Sequence, residues 1–72
     1  MNYHFVICID NEEYPASLER RKLYEVLPDP DAESLGQLRI KDESGDDYLY
    51  PKALFIPVDL PTSTEEAIVS AG

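Results

Sequence analysis

The residue types with the most reactive chemistry are scarce in this chain. His4 and Cys8 are its one histidine and one cysteine. Four residues apart on a strand they share a face but stand about 13 Å apart, too far to share a metal or to form a Cys–His pair. A zinc site needs further Cys or His ligands, and the chain has none. The pair therefore reads as an edge histidine and a buried thiol. Carboxylates are plentiful instead. Asp42, Glu43, Asp46 and Asp47 flank Ser44-Gly45, an arrangement that invites a calcium loop. Such a loop needs ligands at alternating positions, then glycine, then a distant Glu. Here the acids come in adjacent pairs, and neighbours on a strand point apart, so the segment reads as a solvated acidic hairpin. Asp29, Asp31 and Glu33 sit where a helix start favours anions. Catalysis by paired carboxylates needs a cleft that raises one pKa. With one His, no Trp, no glycine-rich phosphate loop and no serine-centred elbow, the sequence predicts a protein that is not an enzyme and holds no metal or cofactor.

The tyrosines carry the remaining signal. Tyr14, Tyr48 and Tyr50 lie in or beside loops, next to Pro15 and Pro51. Tyr48 and Tyr50 have equal strand parity, which puts both rings on one face about 7 Å apart. Tyrosine buries area at low entropy cost, so these rings suit a contact surface. The bland reading is that Tyr48 and Tyr50 complete the wall of the core. Both stay open at this point.

The elements that must hold these residues follow from the pattern. Tyr3–Ile9 is the most apolar run and predicts a central strand covered on both faces. Residues 12–19 are polar with Pro15 inside and read as a loop. Lys22–Leu27 alternates, with Tyr24 and Val26 on one face. Asp29 and Pro30 suit an N-cap and a first helical position, and Gly36 suits a left-handed C-cap, so Asp31–Leu35 predicts one or two helical turns. Gln37–Asp42 and Asp47–Tyr50 predict a hairpin about Glu43–Asp46, with Gly45 at positive φ. Pro51 ends the strand, Lys52–Leu54 forms a 3₁₀ turn, and Phe55–Val58 is an edge strand because of Pro57. The Thr62–Glu65 spacing matches a capping box, but Ala67-Ile68-Val69 is too short to hold a helix alone, so residues 61–72 predict a mobile tail. Five short strands predict an all-β, partly open barrel. Its expected core is Phe5, Ile7, Ile9, Leu18, Tyr24, Val26, Leu38, Ile40, Leu49, Phe55 and Val58.

Seventy-two residues allow one domain. Six Lys and Arg against fifteen Asp and Glu give a formal charge of -9, which argues against nucleic acid and anionic membrane as partners. No apolar run reaches the roughly 18 residues of a membrane span. The start of the chain has no basic n-region of a signal peptide, and a single cysteine suits a reducing cytoplasm. A core this small is near the stability limit, which leaves a monomer or a weak homodimer.

From Leu18 onward the chain resembles an SH3-like barrel. Leu18-x4-Leu23-Tyr24-x-Val26 resembles the lead-in to its first core strands, and Gly36–Gly45 its central hairpin. Tyr48-Leu49-Tyr50-Pro51-Lys52-Ala53-Leu54-Phe55-Ile56 resembles its closing strand, 3₁₀ turn and final strand. The resemblance implies a five-stranded SH3-like domain over residues 1–60. The tryptophan of the eukaryotic peptide groove is missing. The whole chain also resembles a set of short, uncharacterised bacterial proteins, through Cys8–Asn11, Ser17–Glu19 and Asp42–Pro51; no activity comes with that likeness.

Two functions fit a small acidic module of this kind. One is a protein-interaction or regulatory module whose binding surface comprises Tyr14, Tyr48, Tyr50 and Pro51 with Asp42, Glu43, Asp46 and Asp47, favouring a basic protein partner. The other is an acidic inhibitor or nucleic-acid mimic that sequesters a basic protein such as a nuclease or toxin. Mimicry needs carboxylates spread over one face, whereas Arg20-Arg21-Lys22 interrupts them here.

Overall fold

The computed structural model describes residues 5–71. It contains β1 (Phe5–Cys8), β2 (Leu23–Leu27), α1 (Pro30–Ser34), β3 (Gln37–Lys41), β4 (Asp47–Pro51), a 3₁₀ turn (Lys52–Leu54), β5 (Phe55–Val58) and α2 (Thr62–Ala71). The strands form one antiparallel sheet in the order β4-β3-β2-β1-β5. Consecutive strands pair from β1 to β4, and β5 returns to the free side of β1. β4 and β5 are edges of the sheet, so the sheet is not closed into a full barrel.

Local chemistry places the boundaries. Asp29 caps α1, its Oδ1 accepting from the Ala32 amide at 3.1 Å, with Pro30 behind it in the first turn. Gly36, at φ +76, turns the chain out of α1 into β3. Gly45, at φ +87, closes the β3–β4 hairpin, its amide donating to the Asp42 carbonyl at 3.0 Å. The start of β2 is less comfortable. Arg21 takes φ 68, a left-handed conformation that non-glycine residues seldom adopt, and donates its amide to the Cys8 carbonyl at 2.7 Å.

The core lies on one face of the sheet. Val6 and Cys8 from β1, Tyr24 and Val26 from β2, Leu38 and Ile40 from β3, Tyr50 from β4 and Phe55 from β5 pack together with Leu18 from the first long loop. This corrects the expected core at several positions. The inward residues of β1 are Val6 and Cys8; Phe5 is buried as expected but on the opposite face, where Ile7 is only half-buried, and Ile9 lies beyond the strand, exposed. In β4, register rather than apolarity decides. Tyr50 stands opposite the inward Leu38, whereas Leu49 stands opposite Arg39 on the outer face and is 41% exposed. Val58 is only half-buried. Tyr3 and His4 of the expected first strand lie outside the described residues.

The C-terminal segment differs from the expected mobile tail. Thr62–Ala71 is helical, starting where the Thr64 and Glu65 amides both donate to the Pro61 carbonyl at 3.0 Å. None of its residues is buried. The helix begins at the Thr62–Glu65 segment that carries the start signals, and Ile68 is its half-buried apolar residue.

Candidate functional site

The expected contact surface is built on β4 and the first long loop, and the structure divides it. Tyr14 approaches the Tyr48–Pro51 segment as the sequence predicts: its ring meets Tyr50 edge-on, centroids 5.0 Å apart at 88°. Tyr50 also meets Phe55 at 6.2 Å. Tyr50 is 4% exposed and belongs to the core, while Tyr48, two residues earlier on the same face, is 53% exposed. Equal parity therefore does not give the two rings equal surroundings. Tyr48 lies nearer the hairpin tip, whereas the ring of Tyr14 packs on Tyr50.

The acidic hairpin is divided in the same way. Asp42 is only 7% exposed. Its Oδ2 accepts from the Tyr50 hydroxyl at 2.6 Å, and its Oδ1 accepts from the Ser44 amide at 2.9 Å and the Ser44 hydroxyl at 2.5 Å. Burial alone would raise its pKa. The hydrogen bonds from Ser44 and Tyr50 outweigh burial and hold the carboxyl below the usual carboxylate range. Glu43 accepts from Lys22 Nζ at 2.8 Å and from the Tyr24 hydroxyl at 2.6 Å. The Lys22 bond, then the Tyr24 bond, keep it below its ordinary value. The Tyr24 oxygen in turn accepts from the Glu19 amide at 2.7 Å. Burial first, and the bond to Glu43 second, push the Tyr24 hydroxyl well above the ordinary tyrosine range. Burial and the bond to Asp42 push Tyr50 in the same direction.

Asp42 and Glu43 are thus not free charges at a solvated tip. Two core tyrosines reach the base of the hairpin and each donates to one of two adjacent carboxylates. The reading of all four acids as a solvated hairpin is corrected for this pair, and the reason is physical: a buried tyrosine hydroxyl must find an acceptor. Tyr24 and Lys22 are the residues of this site that sequence reasoning missed. The signal for Tyr24 was present, since it was already assigned to the inward face and needed a partner for its hydroxyl.

Asp46, Asp47, Tyr48 and Pro51 remain on the surface, with Tyr14 half-buried beside them. Asp47 accepts from Arg39 Nη1 at 2.9 Å, and Arg39 Nε donates to Asp29 at 2.9 Å. The Asp42 amide donates to the Asp46 carbonyl at 3.0 Å. By the alternation of an antiparallel ladder, Ile40–Tyr48 and Leu38–Tyr50 are then the hydrogen-bonded pairs, and the amides of Asp47 and Leu49 point outward along the edge. Tyr48 and Leu49 flank that free edge on its two faces.

Cys8 is fully buried, and burial is the main cause that raises its pKa above the ordinary thiol value. His4, the other half of the pair considered above, lies outside the described residues. Among the described residues, no group of three or more His, Cys, Asp or Glu side chains is arranged to hold a metal ion. No helix among them is long and apolar enough to cross a membrane. No family model, curated protein or solved structure matches the chain.

Proposed function

We propose that this chain is an SH3-like, non-enzymatic protein-interaction or regulatory module of the bacterial cytoplasm. It binds an extended, basic segment of a protein partner along β4, across Tyr14, Tyr48 and Pro51 and beside Asp46 and Asp47. The observation that carries the reading is the exposure of Tyr48 on an edge strand, directly beside a buried ring of the same type. An exposed aromatic on an unpaired edge offers both a contact surface and backbone groups to an extended chain. The return of β5 to β1 through the 3₁₀ turn supports the SH3-like reading. In this reading Tyr50, Asp42 and Glu43 hold the surface in place rather than touch the partner.

The charge-mimic alternative has less support. Lys22 bridges Glu19 and Glu43, and Arg39 bridges Asp29 and Asp47, so cations divide the acidic field. Screening a library of extended peptides against the immobilised protein tests the leading reading. Basic peptides should be enriched, and Tyr48→Ala should abolish their capture without changing the urea midpoint. Capture that survives Tyr48→Ala but falls steeply with ionic strength would favour the mimic.

A further inference from the structure

The outer face of the sheet is apolar on its β1–β2 side, where Phe5 and Leu27 lie, and α2 approaches it without burying a single residue of its own. Between α2 and the end of β2 runs an open cleft of about 670 Å³. Phe5, Leu27 and Pro28 line it from the sheet side and Val69 from the helix. Val69 is 54% exposed. Three carboxylates also line the cleft, Glu25 from β2 and Glu65 and Glu66 from α2. Glu25 and Glu66 have no ion pair among the described residues, although Lys41 stands opposite Glu25 in the β2–β3 register and lines the cleft on the other side of α2.

The volume falls within the range of small-molecule sites, about 300–1,000 Å³. The lining decides the chemistry. Apolar side chains on both walls take up an apolar group, and an anion at that position would meet Glu25 and Glu66 in a chain of charge -9. The same charge disfavours a second copy as occupant, because each copy would bring the like-charged helix and hairpin. We propose that the cleft between α2 and β2 is a binding site for a small amphipathic amine, its apolar body against Leu27, Pro28 and Val69 and its ammonium between Glu25 and Glu66. This site is separate from the β4 surface, so either reading can fail without the other.

The test is a two-dimensional NMR titration of the whole chain with 3-phenylpropylammonium, and in parallel with the isosteric 3-phenylpropanol and 3-phenylpropionate. The ammonium should shift the amides of Leu27, Glu66 and Val69 in a saturable manner, and the carboxylate should not. Glu66→Gln, at an exposed helix position, should weaken the amine about threefold to fivefold, the worth of one partly solvated charge pair. Val69→Trp, which fills the cleft from its exposed side, should abolish binding while the circular dichroism of the sheet stays unchanged. Equal binding of all three probes would overturn the assignment of the cation, and so would an unchanged affinity in Glu66→Gln. Saturable shifts confined to other residues, or no saturable shift at all, would overturn the site.

Discussion

The two faces of this sheet use similar apolar side chains to different ends. On the inner face Leu18, Leu38, Ile40, Val6 and Cys8 are sealed, and the polar atoms that penetrate, the hydroxyls of Tyr24 and Tyr50, are tied to carboxylates. On the outer face a ten-residue helix stands over Phe5 with clefts on both sides and no buried residue. The difference teaches where so small a domain concentrates its packing. The inner face carries most of the sealed side chains, while on the outer face Phe5 is sealed beneath a helix whose own residues are not.

The largest break of this contrast comes from the tyrosine pair on β4. Tyr50→Ala should destabilise the domain by about 3–5 kcal/mol, as an aromatic truncation in a core does, enough to unfold it in a urea titration at room temperature. Tyr48→Ala should change stability by less than about 0.5 kcal/mol. Amide exchange should then separate the faces, with α2 protected on the order of 100-fold less than β1–β3 because its opening exposes little.

Tyr50→Phe is subtler. It keeps the packing but removes a donor from Asp42, at a cost of about 1–2 kcal/mol. The same network sets an acid limit. Asp42 and Glu43 have folded pKa values below their ordinary 3.8 and 4.5, so their contribution is fully present above those values and is lost as pH falls below them towards the folded ones. Thermal midpoints measured through that window should fall, and Glu43→Gln should flatten the fall. Asp29, lowered first by the Ala32 amide and then by Arg39, acts in the same direction. A small effect of the opposite sign is expected at Arg21, where glycine relieves the left-handed backbone but frees the unfolded chain, for a net gain of no more than about 1 kcal/mol in urea unfolding.

Much of the fold was legible because local signals agreed with one another. Asp29, Pro30 and Gly36 marked α1, Gly45 marked the hairpin, and alternation in Lys22–Leu27 gave the inward Tyr24 and Val26. What was not legible is which face a short, uniformly apolar strand turns inward. Tyr3–Ile9 is apolar at nearly every position, so its inner residues emerge only from pairing with β2 and β5. Leu49 misled for the opposite reason. Its apolarity suggested burial, whereas the register set by the hairpin gives that place to Tyr50. In the candidate site the grouping of Tyr14 with β4 was readable. The capture of Asp42 and Glu43 by tyrosines was not, because it depends on two rings brought from different strands. The helix at Thr62–Ala71 is harder to read, because its start signals at Thr62–Glu65 compete with an apolar run of only Ala67-Ile68-Val69.

The strand order has a consequence for the chain as it leaves the ribosome. β2, β3 and β4 are neighbours in sequence and can pair as soon as each emerges. β1, made first, has one side that stays vacant until β5 arrives at the far end of the sheet-forming segment. Until then Val6 and Cys8 have no Phe55 beside them, and β1 keeps one unpaired edge.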